Sequence, residues 1–164
     1  MSKKKRKNII LGIIGLALII LVIGYSYSAE QTRIKGFNFG NNIQVIQEDL
    51  KRMETDFQSE ITIFQEGDSS IEEFLEYSDL HISKMEELIL RYDDLEPPTA
   101  FHSSVELFKL STQSQLQGDK EIIEWIKNED ENAKIRSESL IQEAFEYELA
   151  ALAKFNAAKA GIEP

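Results

Sequence analysis

Apolar residues recur at every third or fourth position through most of this chain, and that spacing limits what it can fold into. Side chains spaced in this way share one face of an α-helix, whereas a half-buried strand would show strict alternation. Charged residues fall mostly between the apolar positions, which predicts amphipathic helices that bury one face. The clearest series reads Ile43, Ile46, Leu50, Met53, Phe57, Ile61 and Phe64.

Turn and cap residues divide the pattern into four segments. Gly67 is suited to ending the first helix, and Ser70 with Glu73 matches a capping box that starts the second. Pro97 restricts the residue before it and so ends the second helix, while Asp130 is a good N-cap for the fourth. The predicted helices cover residues 43–66, 70–95, 98–128 and 131–160.

Gly118 interrupts the third segment. A glycine inside a helix costs about 1 kcal/mol relative to alanine. Continuing through it gives four helices of similar length, whereas a break leaves one helix of about 20 residues to pair with one of about 40. We therefore predict a continuous third helix and leave open whether it kinks at Gly118.

The N-terminal part predicts attachment to a membrane. Lys3 to Lys7 form a basic cluster, and the segment from Asn8 to Tyr27 that follows it carries no charge. A helix of that length spans about 30 Å, the thickness of the hydrocarbon core of a bilayer. The positive-inside rule places the basic end in the cytoplasm. We expect a cytoplasmic stub at 1–7, a transmembrane signal-anchor helix at 8–28, a linker at 29–42 and an extracytoplasmic bundle at 43–161.

A cleaved signal peptide is the competing interpretation of the same segment. Ser26 and Ser28 would stand at the small-residue positions of a cut before Ala29. The apolar run from Ile9 to Tyr25 is longer than the apolar region of an ordinary signal peptide, and this favours an uncleaved anchor. Both interpretations export the rest of the chain. The predicted fold is all-α: an N-terminal transmembrane helix followed by an antiparallel up-down-up-down four-helix bundle with coiled-coil-like spacing.

Charge and composition narrow the functions open to the exported part. Beyond residue 7 the chain has 13 Lys and Arg against 29 Asp and Glu, a net charge of −16 that disfavours nucleic acid. The absence of cysteine excludes disulfides and thiolate sites. A di-metal bundle site needs Glu three residues before His, but Ser78 and Thr99 precede His81 and His102. We predict no enzyme, no catalytic, metal or cofactor residue and no cofactor, with both histidines at the surface or at a helix start.

Trp125 and Tyr147 are the candidate partner contacts. Trp125 is the only tryptophan, and buried tryptophan dominates many interfaces. Tyr147, with Phe145, Leu149 and Leu152, widens the apolar arc of the fourth helix. We expect core packing for these residues and keep a second packing face, for a homodimer or a partner helix, as the alternative.

Two stretches resemble uncharacterised exported helical proteins of Gram-positive bacteria. One runs from Leu90 to Pro98 and is followed by His102, and the other runs from Ile123 to Asp130 and leads to Leu140–Ala144. The resemblance implies a four-helix bundle on a membrane anchor and no known activity. Unlike many of those proteins, this chain has no lipobox cysteine, so the anchor would be its helix.

These observations predict a non-enzymatic protein held in the cell membrane by a single pass at residues 8–27. Its extracytoplasmic bundle would act through protein or envelope contacts. The alternatives are a ligand-sensing module that works with a partner, its small-molecule ligand unknown, or the same bundle secreted after cleavage.

Overall fold

The computed structural model describes residues 38–161, which form four α-helices and no strand. Helix α1 is helical throughout 38–66, and it is followed by α2 (Ile71–Asp93), a 3₁₀ turn (Thr99–Phe101), α3 (His102–Asn128) and α4 (Glu131–Lys159). The all-helical prediction is therefore confirmed. The predicted stub, the transmembrane helix and the linker as far as residue 37 lie outside the described residues.

Helix ends follow the local signals in the sequence. Ser70 and Glu73 make the capping box in both directions, since Ser70 Oγ accepts from Glu73 N at 3.2 Å and Glu73 Oε2 accepts from Ser70 N at 2.8 Å. Asp130 Oδ1 accepts from Asn132 N at 3.0 Å, as expected of an N-cap. Gly67 has a positive φ of 82°, which glycine adopts without strain after a helix.

Two predicted boundaries differ from the structure. Residues 38–42, assigned to the linker, already belong to α1, and Phe39 is buried there. Helix α3 begins at His102 and not at residue 98, because the chain after Pro98 first forms the 3₁₀ turn. The first difference lengthens α1 and the second shortens α3, each by about one turn. The order of the elements is unchanged.

Each helix runs antiparallel to the one before it. Contacts between neighbours pair rising residue numbers on one helix with falling numbers on the next. For α1 and α2 the pairs are Gln47 with Tyr92, Phe57 with His81 and Phe64 with Phe74; for α2 and α3 they are Tyr92 with Thr112 and His81 with Asp119; for α3 and α4 they are Ser111 with Ala144 and Glu121 with Arg136.

The core consists of two apolar clusters along the bundle. The first draws on all four helices and ends in an aromatic group in which Phe39, Phe101 and Phe155 lie with ring centroids 5.1–6.2 Å apart. The second, around Phe57 and Phe74, is built from α1, α2 and α3. The predicted α1 stripe faces these clusters, and Phe39 closes one end of the core.

Helices α3 and α4 approach each other through small residues. The buried positions of α4 are all alanine or serine, and Ser111 Oγ of α3 donates to the backbone carbonyl of Ala144 at 2.8 Å. A Cβ on Gly118 would lie 2.9 Å from Ile141 Cγ1 and 3.5 Å from the Ser137 carbonyl oxygen. Helix α3 is continuous through Gly118, as predicted, and the glycine is accommodated because it permits this close contact.

Within residues 38–161, no helix combines the length and the apolar character needed to cross a membrane.

The close approach at Gly118 can be tested with a double-mutant cycle. Gly118→Ala gains about 1 kcal/mol of helix propensity but forces Ile141 to move. We expect Gly118→Ala to be at least about 1 kcal/mol more favourable in an Ile141→Ala background than with Ile141 present. Urea unfolding followed by circular dichroism measures both. Additive effects of the two substitutions would contradict the contact.

Candidate functional site

The small-residue face of α4 leaves most of the large apolar residues of this helix outside the core, with Phe155 as an exception. Ile141, Phe145, Leu149 and Leu152 are 36, 53, 51 and 42% exposed. Their spacing of four, four and three residues places them on one face of the helix, which we call the α4 stripe. The expected core packing of Phe145, Leu149 and Leu152 is therefore wrong, because alanine and serine occupy the face that packs on α3.

A groove of about 420 Å³ opens between α1 and α4, with α3 at its floor. Its walls combine apolar side chains from the α4 stripe and α1 with several polar and charged ones. They are Gln44, Gln47, Glu48, Leu50, Lys51 and Glu54 of α1, Ser111 and Gln115 of α3, and Ile141, Phe145 and Glu148 of α4. Eight of these eleven side chains are polar or charged, and the apolar ones are Leu50, Ile141 and Phe145.

Glu54 is one of three carboxylates that line this groove. It is partly buried, and burial together with the negative charges of Asp119 and Glu148 raises its pKa from 4.5 to about 7. Burial and like charges both disfavour the ionised form, so the two effects act in the same direction. Ionisation of Glu54 therefore costs free energy, and a cation placed beside it would lower that cost.

A fully buried hydrogen bond between His81 and Asp119 lies behind the groove. His81 Nε2 is 2.8 Å from Asp119 Oδ2, with only 2 and 3% of the two side chains exposed. Because a carboxylate only accepts, the imidazole donates in this contact. Gln115, which lines the groove, donates from Nε2 to Asp119 Oδ1 at 2.9 Å. The Phe57 ring stacks on the imidazole with centroids 4.1 Å apart.

The burial of His81 corrects the prediction of a surface histidine. The buried residues of α2 are Phe74, Ser78, His81, Met85, Leu88 and Tyr92, a strict alternation of four and three. Ile82, the apolar residue next to His81, lies half-buried beside this face. His102, by contrast, is exposed at the start of α3, as predicted. It lies about 25 Å along α3 from Asp119, so the two histidines do not share a site.

A second polar group joins the groove to the interior. Gln47 of the groove wall donates to the buried Tyr92 hydroxyl at 2.7 Å, and that oxygen lies 3.0 Å from Thr112 Oγ1. Burial raises the pKa of Tyr92 to about 12, although these hydrogen bonds oppose the change. Within the described residues, no set of three or more His, Asp or Glu side chains is arranged to hold a metal ion. The hydroxyl of Tyr92 thus links the Gln47 side chain of the groove to the buried Thr112, whereas the buried Ser137 hydroxyl of α4 has no hydrogen-bond partner.

The two predicted contact residues lie apart from each other and outside the groove lining. Trp125 is half-buried near the turn between α3 and α4, where its Nε1 donates to Glu131 at 3.2 Å and Lys134 Nζ lies 4.7 Å from the ring centroid. Tyr147 is also half-buried, and its hydroxyl donates to Glu143 at 3.3 Å. It lies about 200° around the α4 axis from Phe145, which is nearly the opposite side of the helix.

Sequence reasoning did not find the groove, although one signal was available. The heptad-spaced series Ala133, Ser137, Ala144 and Ala151 is too small to fill a bundle core of ordinary width. Such a series indicates close packing on one neighbour, which moves the larger apolar residues beside it out of the core.

Comparison of the chain with protein-family models, with curated proteins and with solved structures found no match in any of the three. Inference about function therefore depends on the groove itself.

Removal of Asp119 tests the buried pair. We expect Asp119→Ala to lower the free energy of unfolding by about 3 kcal/mol, because it removes the acceptor of the buried His81 and of the partly buried Gln115. Asp79→Ala, at an exposed position of the same bundle, serves as the control and should change stability by less than about 0.5 kcal/mol. Equal effects in urea unfolding would show that the pair contributes nothing.

The raised pKa of Glu54 predicts that replacing it with glutamine, its neutral isostere, stabilises the protein in a pH-dependent way. In the folded state the pKa of Glu54 is about 7, against 4.5 for an ordinary glutamate. Because the folded state holds the proton more tightly, the contribution of Glu54 to stability is complete below pH 4.5 and is lost as the pH rises through 7. Glu54→Gln should therefore raise the free energy of unfolding by about 2 kcal/mol at pH 8 and leave it nearly unchanged at pH 4. A pH-independent effect in urea unfolding would refute the assignment.

Proposed function

We propose that this chain is a non-enzymatic, single-pass membrane protein whose extracytoplasmic bundle binds a partner protein through the α4 stripe and the adjoining groove. The observation that carries the proposal is the exposure of four large apolar side chains in one row on α4.

The anchor is supported by the sequence of the N-terminal segment. Asn8 to Tyr27 form an uncharged segment of bilayer length behind the basic cluster Lys3–Lys7. An anchor of this kind holds the bundle at a membrane surface. It raises the concentration of the bundle near other proteins of the same surface, so a groove of modest affinity would suffice.

Contact through α4 is supported by the arrangement of its apolar residues. Single exposed leucines, such as Leu80 and Leu90 on α2, are ordinary features of a protein surface. A row of apolar residues with polar flanks is instead typical of an interaction site. The groove beside it adds charged and amide groups that can fix the orientation of a bound segment.

Photo-crosslinking in intact cells tests this function. A benzophenone amino acid replaces Phe145 in the full-length protein, and the control replaces Leu90, which is 63% exposed on α2. We expect the substitution at 145, and not the one at 90, to capture one reproducible protein adduct. Adducts that are equal at both positions, or absent at both, would contradict contact through α4.

Thiol labelling in intact cells tests on which side of the membrane the bundle lies. Because the chain has no cysteine, Ser103→Cys and Ser2→Cys each introduce a single thiol. A membrane-impermeant maleimide should label the first in intact cells and the second only after lysis. Release of the bundle into the medium with Ala29 at its N-terminus would replace the anchor by a cleaved signal peptide.

A further inference from the structure

We infer that the segment bound by the groove is a basic amphipathic helix of a partner protein, its apolar face on the α4 stripe and a cationic side chain at Glu54. This inference rests on the proposed function and adds the chemistry of the partner to it. Shape, charge and the position of one carboxylate carry it.

The length of the α4 stripe suits a short helix. The α4 stripe from Ile141 to Leu152 extends over about 16 Å, or three helical turns. Leu50 of α1 and Phe145 of α4 both line the groove between the two helices. An amphipathic helix that binds in such a groove places residues i, i+3, i+4 and i+7 against the apolar wall. A helix of three to four turns therefore matches both the length and the polarity of the face.

Charge selects a basic partner over a second copy of this chain. Glu48, Glu54 and Glu148 line the groove together with one cation, Lys51. Residues 38–161 contain 11 Lys and Arg against 27 Asp and Glu, so two copies would repel each other. A partner with Lys or Arg beside its apolar face would be attracted by the same charges.

Glu54 is where a cationic side chain would gain most. The titratable groups around it are Glu48 and Lys51 on its own helix, Asp119 of α3 with its partner His81 of α2, and Glu148 of α4. Two of these carboxylates, Asp119 and Glu148, oppose its ionisation. A guanidinium or ammonium group in the groove offsets that repulsion and replaces lost hydration with a charge-assisted hydrogen bond. Binding should therefore strengthen as Glu54 loses its proton.

The test uses a defined probe and the full-length chain. A fluorescein-labelled peptide long enough for about four helical turns carries leucine on one helical face and arginine on the other, and its binding is measured by fluorescence anisotropy. The protein is held in phosphatidylcholine nanodiscs, and empty discs supply the background. A peptide of the same composition whose leucines are spread around the helix tests amphipathicity, and a leucine–glutamate peptide tests the sign of the charge.

Matched variants separate the groove from the general acidity of the domain. Phe145→Ser should weaken binding of the leucine–arginine peptide about tenfold, whereas Leu90→Ser should change it less than about twofold. Glu54→Gln at pH 8 should weaken it about fivefold, whereas Glu76→Gln, which removes an exposed charge from α2, should change it less than about twofold. All four positions are at least partly exposed, and circular dichroism checks that each variant is folded.

The pH dependence gives a second, independent readout. Arginine keeps its charge throughout, so the peptide itself does not titrate. Wild-type protein should bind about fivefold more tightly at pH 8 than at pH 6, and Glu54→Gln should remove most of that difference.

The inference is overturned if the groove variants lose no more affinity for the leucine–arginine peptide than their controls do. It is also overturned if the spread-leucine peptide binds as tightly as the amphipathic one. Self-association of the protein through α4 without peptide binding would also overturn it, in favour of a second copy. If position 145 captures a partner in cells but the basic peptide does not bind, the proposed contact through α4 is retained. The inference that the partner segment is a basic helix is then rejected.

Discussion

The close approach of α3 and α4 is the constraint on which the rest of the structure depends. It is possible only because Gly118 presents no side chain and because Ala133, Ser137, Ala144 and Ala151 present small ones. Small residues let two helix backbones pack at short distance, but they bury little apolar area per residue. Helix α4 therefore packs mainly on α3 through its small-residue face and leaves Phe145, Leu149 and Leu152 exposed to solvent.

The groove follows from the same packing. At one end of the bundle, Phe39 and Phe155 bring α1 and α4 into contact. Farther along, the second core cluster is formed by α1, α2 and α3, while α4 continues against α3. The space between α1 and α4 is lined by side chains from three helices. A site built on helices is held more rigidly than one built on loops, which suits recognition of a regular partner.

Buried polar groups lie on the inner side of this groove. His81, Asp119 and Gln115 form a hydrogen-bonded set, and Tyr92, Thr112 and Gln47 form another. Apolar residues of similar volume would often serve stability equally well, whereas removing one member of such a pair is strongly destabilising. Their structural effect here is to fix how α1, α2 and α3 align and to hold negative charge close to Glu54.

Features determined by neighbouring residues could be predicted from the sequence. The α1 stripe, the capping box at Ser70 and the N-cap at Asp130 each depend on local spacing or on one side chain. The burial of His81 could not be predicted in this way, because Ile82 beside it is the better apolar residue and only the partner helices decide between them. The groove was hidden for a similar reason. On α4, hydrophobicity favours Leu152 over its neighbour, but packing against α3 buries the alanine and leaves Leu152 exposed. The distance between α3 and α4 decides which of the two residues is buried, and this distance depends on tertiary packing.

A cysteine scan of α4 tests the central claim most directly, since the native chain has no thiol to interfere. Single cysteines at 144, 145, 149 and 151 are introduced into the full-length protein, and the rate of maleimide labelling is measured under native conditions. Exposure of the α4 stripe predicts labelling at 145 and 149 at least about a hundred times faster than at 144 and 151. Protection at 145 and 149, equal to that at the alanine positions, would show that these residues are packed and would contradict an open groove.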